Sequence, residues 1–198
     1  MRKTTDWLEP RESDATARRA AHDPSAFRAF YEAHQALVFN VCFRMLAHRQ
    51  EAEDLTQEVF LKAFQSLDQL RGESKVSTWL YRIALNRCLN HLRRKRRERW
   101  LSLDFLFPTD EGDSTAQPAA TEDNPREALQ QRELETGVQA AIRSLPDAQR
   151  AALVLHVYER LSYAEIAVVM RCSVASVESR LHRAKQNLAR RLASLWKQ

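Results

Sequence analysis

The segment of residues 161–192, LSYAEIAVVMRCSVASVESRLHRAKQNLARRL, constrains the fold of this chain more than any other. Ser162 and Glu165 stand at capping-box spacing, in which the serine hydroxyl accepts from the amide three residues on and the glutamate reaches back to the serine amide. A short helix of roughly nine residues therefore starts at Ser162, and Ser173 is placed to cap a second one. Ala167 is small where two helices must cross closely, and Val177 is apolar where the second helix faces the first. Two helices joined this tightly and crossing this closely make a helix-turn-helix. If Arg171 must adopt a left-handed turn between them, a strain of roughly 1 kcal/mol is expected, since it is not glycine.

With Val177 turned inward, Ser176, Glu178, Ser179, His182 and Arg183 face out, where they suit the edges of bases in a major groove. Arg180, Lys185, Arg190 and Arg191 add positive charge around that face for phosphates, which give affinity and register but little sequence information. From Arg171 onward there are seven basic residues and one acid. A merely solvated basic helix would carry the charge without the caps and the small crossing residue.

The rest of the chain is also helical in pattern. Only three Gly and six Pro occur in 198 residues, with 44 % hydrophobic and 29 % charged residues, which favours an all-α globular chain of one ordinary or two small domains. Asp23-Pro24 makes a helix start before Phe27, Phe30, Tyr31, His34, Val38 and Val41 at 3–4 spacing. From Glu51, an apolar stripe of Leu55, Val59, Ala63 and Leu67 runs beside a polar face with Asp54, Gln57 and Glu58. A third helix is predicted from Thr78 to about Arg97, burying Leu80, Ile83 and Ala84, with Trp79 and Tyr81 as core aromatics. It shows Arg82, Asn86, Asn90, Arg93 and Arg97 as one polar stripe.

Between Asp104 and Asn124 the sequence turns to Asp, Glu, Thr, Ala and Pro, which reads as a flexible acidic linker. Helical periodicity returns with Leu134, Val138, Ile142 and Leu145, and Leu145-Pro146-Asp147 ends one helix and starts another carrying Leu153, Val154 and Val157. The expected organisation is a flexible extension over residues 1–22, a helical domain over 23–99, the linker over 100–126 and a second helical domain over 127–198.

The net charge of +5 is concentrated at Arg93 to Arg99 and again after Arg171, as for two contacts with a polyanion. Cys42, Cys88 and Cys172 have neither a disulfide nor a zinc spacing and fit a reducing cytoplasm. No stretch resembles a membrane span or a signal peptide. Glu51, Glu53, Asp54 and Glu58 cluster, but no second helix offers matching carboxylates and no nucleophile, base or phosphate loop appears. No metal, cofactor, small-molecule substrate or catalysis is expected.

EAEDLTQEVFLKAFQSLDQLRGESKVSTWLYRIALNRCLNHLRR resembles the central conserved region of the extracytoplasmic-function sigma factors, group 4 of the sigma-70 family, and LSYAEIAVVMRCSVASVESRLHRAK resembles their C-terminal reader. The blocks DLTQEVF and TWLYRIALN and the helix-turn-helix stand in the family's order, and the likeness runs from Asp23 to Leu192. The resemblance implies a region 2 bundle and a region 4 helix-turn-helix that together bind core RNA polymerase and promoter DNA in the cytoplasm. It implies that Asp54, Gln57 and Glu58 contact the clamp coiled coil of the polymerase's largest subunit. The loop from Leu70 to Ser77 and the helix after it would melt and capture the −10 element, through Ser74, Lys75, Ser77, Arg82, Asn86, Asn90, Arg93 and Arg97. Ser176, Glu178, Ser179, Arg180, His182, Arg183 and Lys185 would read the −35 element. An anti-sigma factor and a stress response are implied as well, with catalysis left to the polymerase. A stand-alone helix-turn-helix regulator would need a ligand or dimer module, which residues 23–97 do not resemble.

Overall fold

The computed structural model describes residues 20, 23–67, 75–101 and 136–195, and these form helices and short connections with no strand among them. The expected acidic linker, Leu134 and most of the N-terminal extension lie outside the described residues; Ala20, from that extension, is buried against the core.

Helix α1 (Pro24–Leu46) starts where the sequence predicts: Asp23, in extended backbone, accepts from the Ser25 amide at 2.9 Å, and Pro24 fills a position whose amide would have no helical partner. It stops at Ala47, left-handed at φ 53°. Helix α2 (Arg49–Phe64) begins on His48, whose Nδ1 accepts from the Glu51 amide at 3.2 Å. Helix α3 (Val76–Leu101) is longer at both ends than the predicted 78–97. Its last turns are exposed and strongly basic, so no apolar periodicity marks their end in the sequence.

These three helices form a bundle. Leu55, Val59, Ala63 and Leu67 are buried, as the stripe requires, against Phe30, Val38, Val41 and Met45 of α1 and Leu80, Ala84 and Leu85 of α3. Trp79 and Tyr81 are core residues, while Ile83 is only half-buried. Each large apolar side chain fully buried here contributes about 1.5–3 kcal/mol. Tyr31 and Phe60 meet edge to face at 4.6 Å, as do Phe27 and Phe64 at 4.9 Å, so aromatic contacts tie the α1 and α2 faces.

Residues 136–143 are helical, and Pro146 separates them from α4 (Asp147–Leu153). The chain then continues through a π-helical turn (Val154–Tyr158), which the sequence pattern does not reveal. Val157, expected on the apolar stripe with Leu153 and Val154, is instead 53 % exposed. The wider turn rotates the stripe: it carries Val157 outward and brings Tyr158 onto the packed side. Helices α5 (Tyr163–Met170) and α6 (Val174–Leu195) complete the second unit. Leu155, Ile166, Val169, Val177 and Leu181 join the same buried core as α1–α3, while Ile142, Leu145, Leu153 and Ala184 form a smaller cluster of their own.

Candidate nucleic-acid interface

The α5–turn–α6 segment is built by local hydrogen bonds. The Glu165 amide donates to Ser162 Oγ at 3.3 Å and the Ser162 amide to Glu165 Oε2 at 2.9 Å, so both halves of the predicted capping box form. The donated Ser162 amide, outweighing some burial, holds the Glu165 carboxyl below the usual carboxylate range, and Lys75 adds to this. α5 has eight residues and closes on Arg171, left-handed at φ 50° and ψ 54° although it is not glycine. The Cys172 amide then donates to the Ala167 carbonyl at 3.0 Å, and Ser173 Oγ caps α6 by accepting from the Ser176 amide at 3.2 Å.

Val177, Leu181 and Ala184 are buried on the inner side of α6. That leaves Glu178, Ser179, His182, Arg183 and Lys185 exposed along the outer side, with Ser176 half-buried at its start. Arg180 stands apart from this row. It is half-buried, and its Nη1 points at Cys172 Sγ (3.4 Å) and Met170 Sδ (3.8 Å), bracing α6 against the turn.

On α3, Asn86, Asn90, Arg93 and Arg97 are exposed in a single row, and Ser77 and Arg82 are half-buried. Lys75 lies 3.8 Å from Glu165 of α5, and Ser74 lies outside the described residues. Asn and Arg side chains repeated along an exposed helix face can meet bases and phosphates at successive positions along a strand.

Asp54, Gln57 and Glu58 are exposed on α2, and Glu58 reaches Arg87 of α3 at 3.6 Å. Next to them lies an open apolar groove of about 530 Å³, lined by Phe27, Tyr31, Gln57, Phe60, Leu61 and Phe64. Leu61 is 60 % and Phe64 45 % exposed, so an acidic rim borders an uncovered apolar floor. The sequence pattern missed these two, although both fall off the buried stripe of α2 and could have been found by asking which apolar residues the stripe leaves over. Glu51 is an interior partner rather than part of this rim: His91 Nε2 lies 2.8 Å from it and Lys95 is bonded to its other oxygen. Burial raises the Glu51 carboxyl, but the hydrogen bonds from Lys95 and His91 outweigh it and hold the group below the ordinary range. Among the described residues, no group of three His, Cys, Asp or Glu could hold a metal ion.

Residues 30–98 match Sigma-70 region 2, and residues 136–188 match Sigma-70 region 4. The RNA polymerase sigma-H factor of Pseudomonas aeruginosa is 37 % identical over 182 residues, covering 87 % of this chain and 89 % of that protein. The ECF RNA polymerase sigma factor SigW of Bacillus subtilis is 32 % identical over 173 residues, covering 87 % and 92 %. The chain belongs to the extracytoplasmic-function sigma factors of the sigma-70 family. This sigma factor shares its fold with RpoE of Bartonella quintana in complex with the anti-sigma factor NepR, at a TM-score of 0.65 and 24 % identity over 84 % of this chain and 96 % of that one. It shares it also with CnrH in complex with the cytosolic domain of CnrY, at a TM-score of 0.63 and 20 % identity over 92 % and 97 %. The helix-turn-helix thus belongs to a promoter-directing polymerase subunit and not to a stand-alone regulator. No described helix of the sigma factor is long and apolar enough to cross a membrane.

Proposed function

We propose that residues 23–99 of this sigma factor bind core RNA polymerase and the −10 strand, that residues 127–198 bind the −35 duplex, and that residues 100–126 connect them. The observation that carries this reading is the pair of exposed polar rows, Asn86, Asn90, Arg93 and Arg97 on α3 and Glu178, Ser179, His182, Arg183 and Lys185 on α6. Two such rows on separate helical units suit two DNA elements. Ser77 and Arg82 support the first row, with Ser74 and Lys75 leading into it; Ser176 opens the second, and Arg180 steadies it from the turn.

Asp54, Gln57 and Glu58, beside the apolar groove of Leu61 and Phe64, take a basic and partly apolar helix of the polymerase. Bond formation stays with the polymerase, and the sigma factor supplies recognition only. An anti-sigma factor that covers these faces, released under stress in the cytoplasm, is the matching regulator; RpoE of Bartonella quintana, which has the same fold, was solved with the anti-sigma factor NepR.

Size-exclusion chromatography of the purified chain with core polymerase tests the reading. Co-elution, with transcription from promoters that carry both elements, is expected. Separate elution with tight duplex binding by the chain alone would overturn it.

A further inference from the structure

The apolar groove between α1 and α2 lies where the folded chain begins. Asp23 and Pro24, the cap and first residue of α1, line it together with Phe27, Phe60, Leu61 and Phe64. Ala20, three residues earlier and so within about 11 Å of Asp23, is helical and fully buried in the core of the same bundle. The chain that precedes α1 is therefore anchored beside the groove.

Nineteen residues, MRKTTDWLEPRESDATARR, come before Ala20. Beyond Met1 they hold two large apolar side chains, the adjacent Trp7 and Leu8. Lys3 and Arg11 stand four residues to either side of Trp7, and Arg18 and Arg19 lead into Ala20. A lone Trp-Leu pair in a polar segment needs apolar surface from elsewhere, and the uncovered Leu61 and Phe64 supply it. The groove, about 530 Å³, is of the size that encloses a compact apolar ligand, and a tryptophan buries about 150–250 Å². Five basic and four acidic residues leave the segment near neutral, so burial supplies most of the attraction. The cations orient it toward the acidic rim of Asp54 and Glu58.

Trp7 stands sixteen residues ahead of Asp23. Such a stretch spans about 24 Å as helix and up to about 55 Å extended, enough to double back onto a groove whose lining starts at Asp23. On so short a tether the pair faces the groove at an effective concentration in the millimolar range. A weak intrinsic attraction is then sufficient to fill it.

We propose that the occupant of this groove in the free sigma factor is the chain's own N-terminal segment, with Trp7 and Leu8 seated over Leu61 and Phe64. The polymerase helix assigned to the same groove has the same chemistry, apolar with basic flanks, so the two occupants exclude one another. That exclusion, unlike the occupancy itself, rests on the polymerase reading above. Apparent affinity for core polymerase is reduced to the fraction of chains whose groove is uncovered.

Disulfide cross-linking in the full chain tests the occupancy. Leu8→Cys/Leu61→Cys keeps Trp7 in place and alters only an exposed position of the bundle. The native Cys172, partly exposed at the helix-turn-helix, is the internal control. After incubation with oxidised glutathione, peptide mass spectrometry is expected to find the introduced pair linked roughly tenfold more often than either introduced thiol is linked to Cys172. Linkage shared evenly with Cys172 would overturn the proposal, as would a bond joining two chains, which gives the groove to a second copy. Trp7→Ala/Leu8→Ala is expected to keep its helical circular dichroism and to bind core roughly two- to tenfold more tightly, and an unchanged affinity would overturn the exclusion. If the native chain does not bind core, the proposed function fails, and the cross-link still decides the occupancy.

Discussion

Arg150 of α4 is joined to Met45 of α1, its Nη1 donating to the Met45 carbonyl at 2.7 Å across 105 residues of sequence. Met45 lies in the last turn of α1, where carbonyls have no helical partner. The same guanidinium donates through Nη2 to the Arg143 and Leu145 carbonyls just ahead of α4. One buried cation therefore satisfies the ends of two helices in different units, although burial makes its charge harder to keep.

Replacing Arg150 with Met should be the costliest single change among the polar residues. It leaves three carbonyls without their charged donor, a loss of about 3 kcal/mol, and lowers the melting temperature by roughly 6–12 °C. Thermal unfolding followed by circular dichroism reads this directly, and a drop of under a degree would mean that water replaces the guanidinium at no cost.

Asp54→Arg with Glu58→Lys should abolish co-elution with core polymerase while leaving the helical signal intact. Only the exposed Glu58–Arg87 pair is lost, and such pairs are worth under about 1 kcal/mol. Retained co-elution would remove this face from the polymerase contact.

The neighbouring arginines of α6 should separate. Arg183→Ala is expected to weaken binding to a −35 duplex about fivefold, near 1 kcal/mol, with no loss of melting temperature. Arg180→Ala should lower the melting temperature as well, because Arg180 braces Cys172 and Met170. Equal stability for the two variants in the same melting assay would contradict the brace.

Acid should loosen the bundle through Glu51. Its folded-state pKa lies below the ordinary value of 4.5, so the stability it contributes is present above that value and is lost as pH falls through the lower folded pKa. Unfolding curves collected from pH 6 downward should show the decline setting in below about pH 4.5, and the decline should be shallower in Glu51→Gln.

Much of the fold was legible because local chemistry decided it. Asp23-Pro24, the Ser162/Glu165 box and Ser173 are signals read within four residues, and each forms as its residue types demand. The left-handed backbone of Arg171 was open in the sequence, because no glycine marks it, and the folded turn decides it. The π-turn was not, since nothing in VLHVY departs from ordinary helical composition and the extra residue is held by packing against α1 and α3. For the same reason Val157 was expected inside. Tyr81–Glu159 and Arg44–Tyr158 join residues from different units, and no spacing rule reaches that far. At the candidate site, the exposed rows of α3 and α6 follow from helical period, whereas the inward turn of Arg180 depends on two sulfur atoms whose position only the folded turn supplies.

The three cysteines give the molecule a built-in count of its own folding. Cys42 and Cys88 are fully buried on facing helices, and their mutual hydrogen bond, with burial, pushes the Cys88 thiol well up, whereas Cys172 is partly exposed at the helix-turn-helix. A brief pulse of a thiol-alkylating reagent should therefore add one tag to each native chain and three to each chain whose first bundle has come apart. The mass of every molecule then records its state at the moment of the pulse, with no reporter introduced.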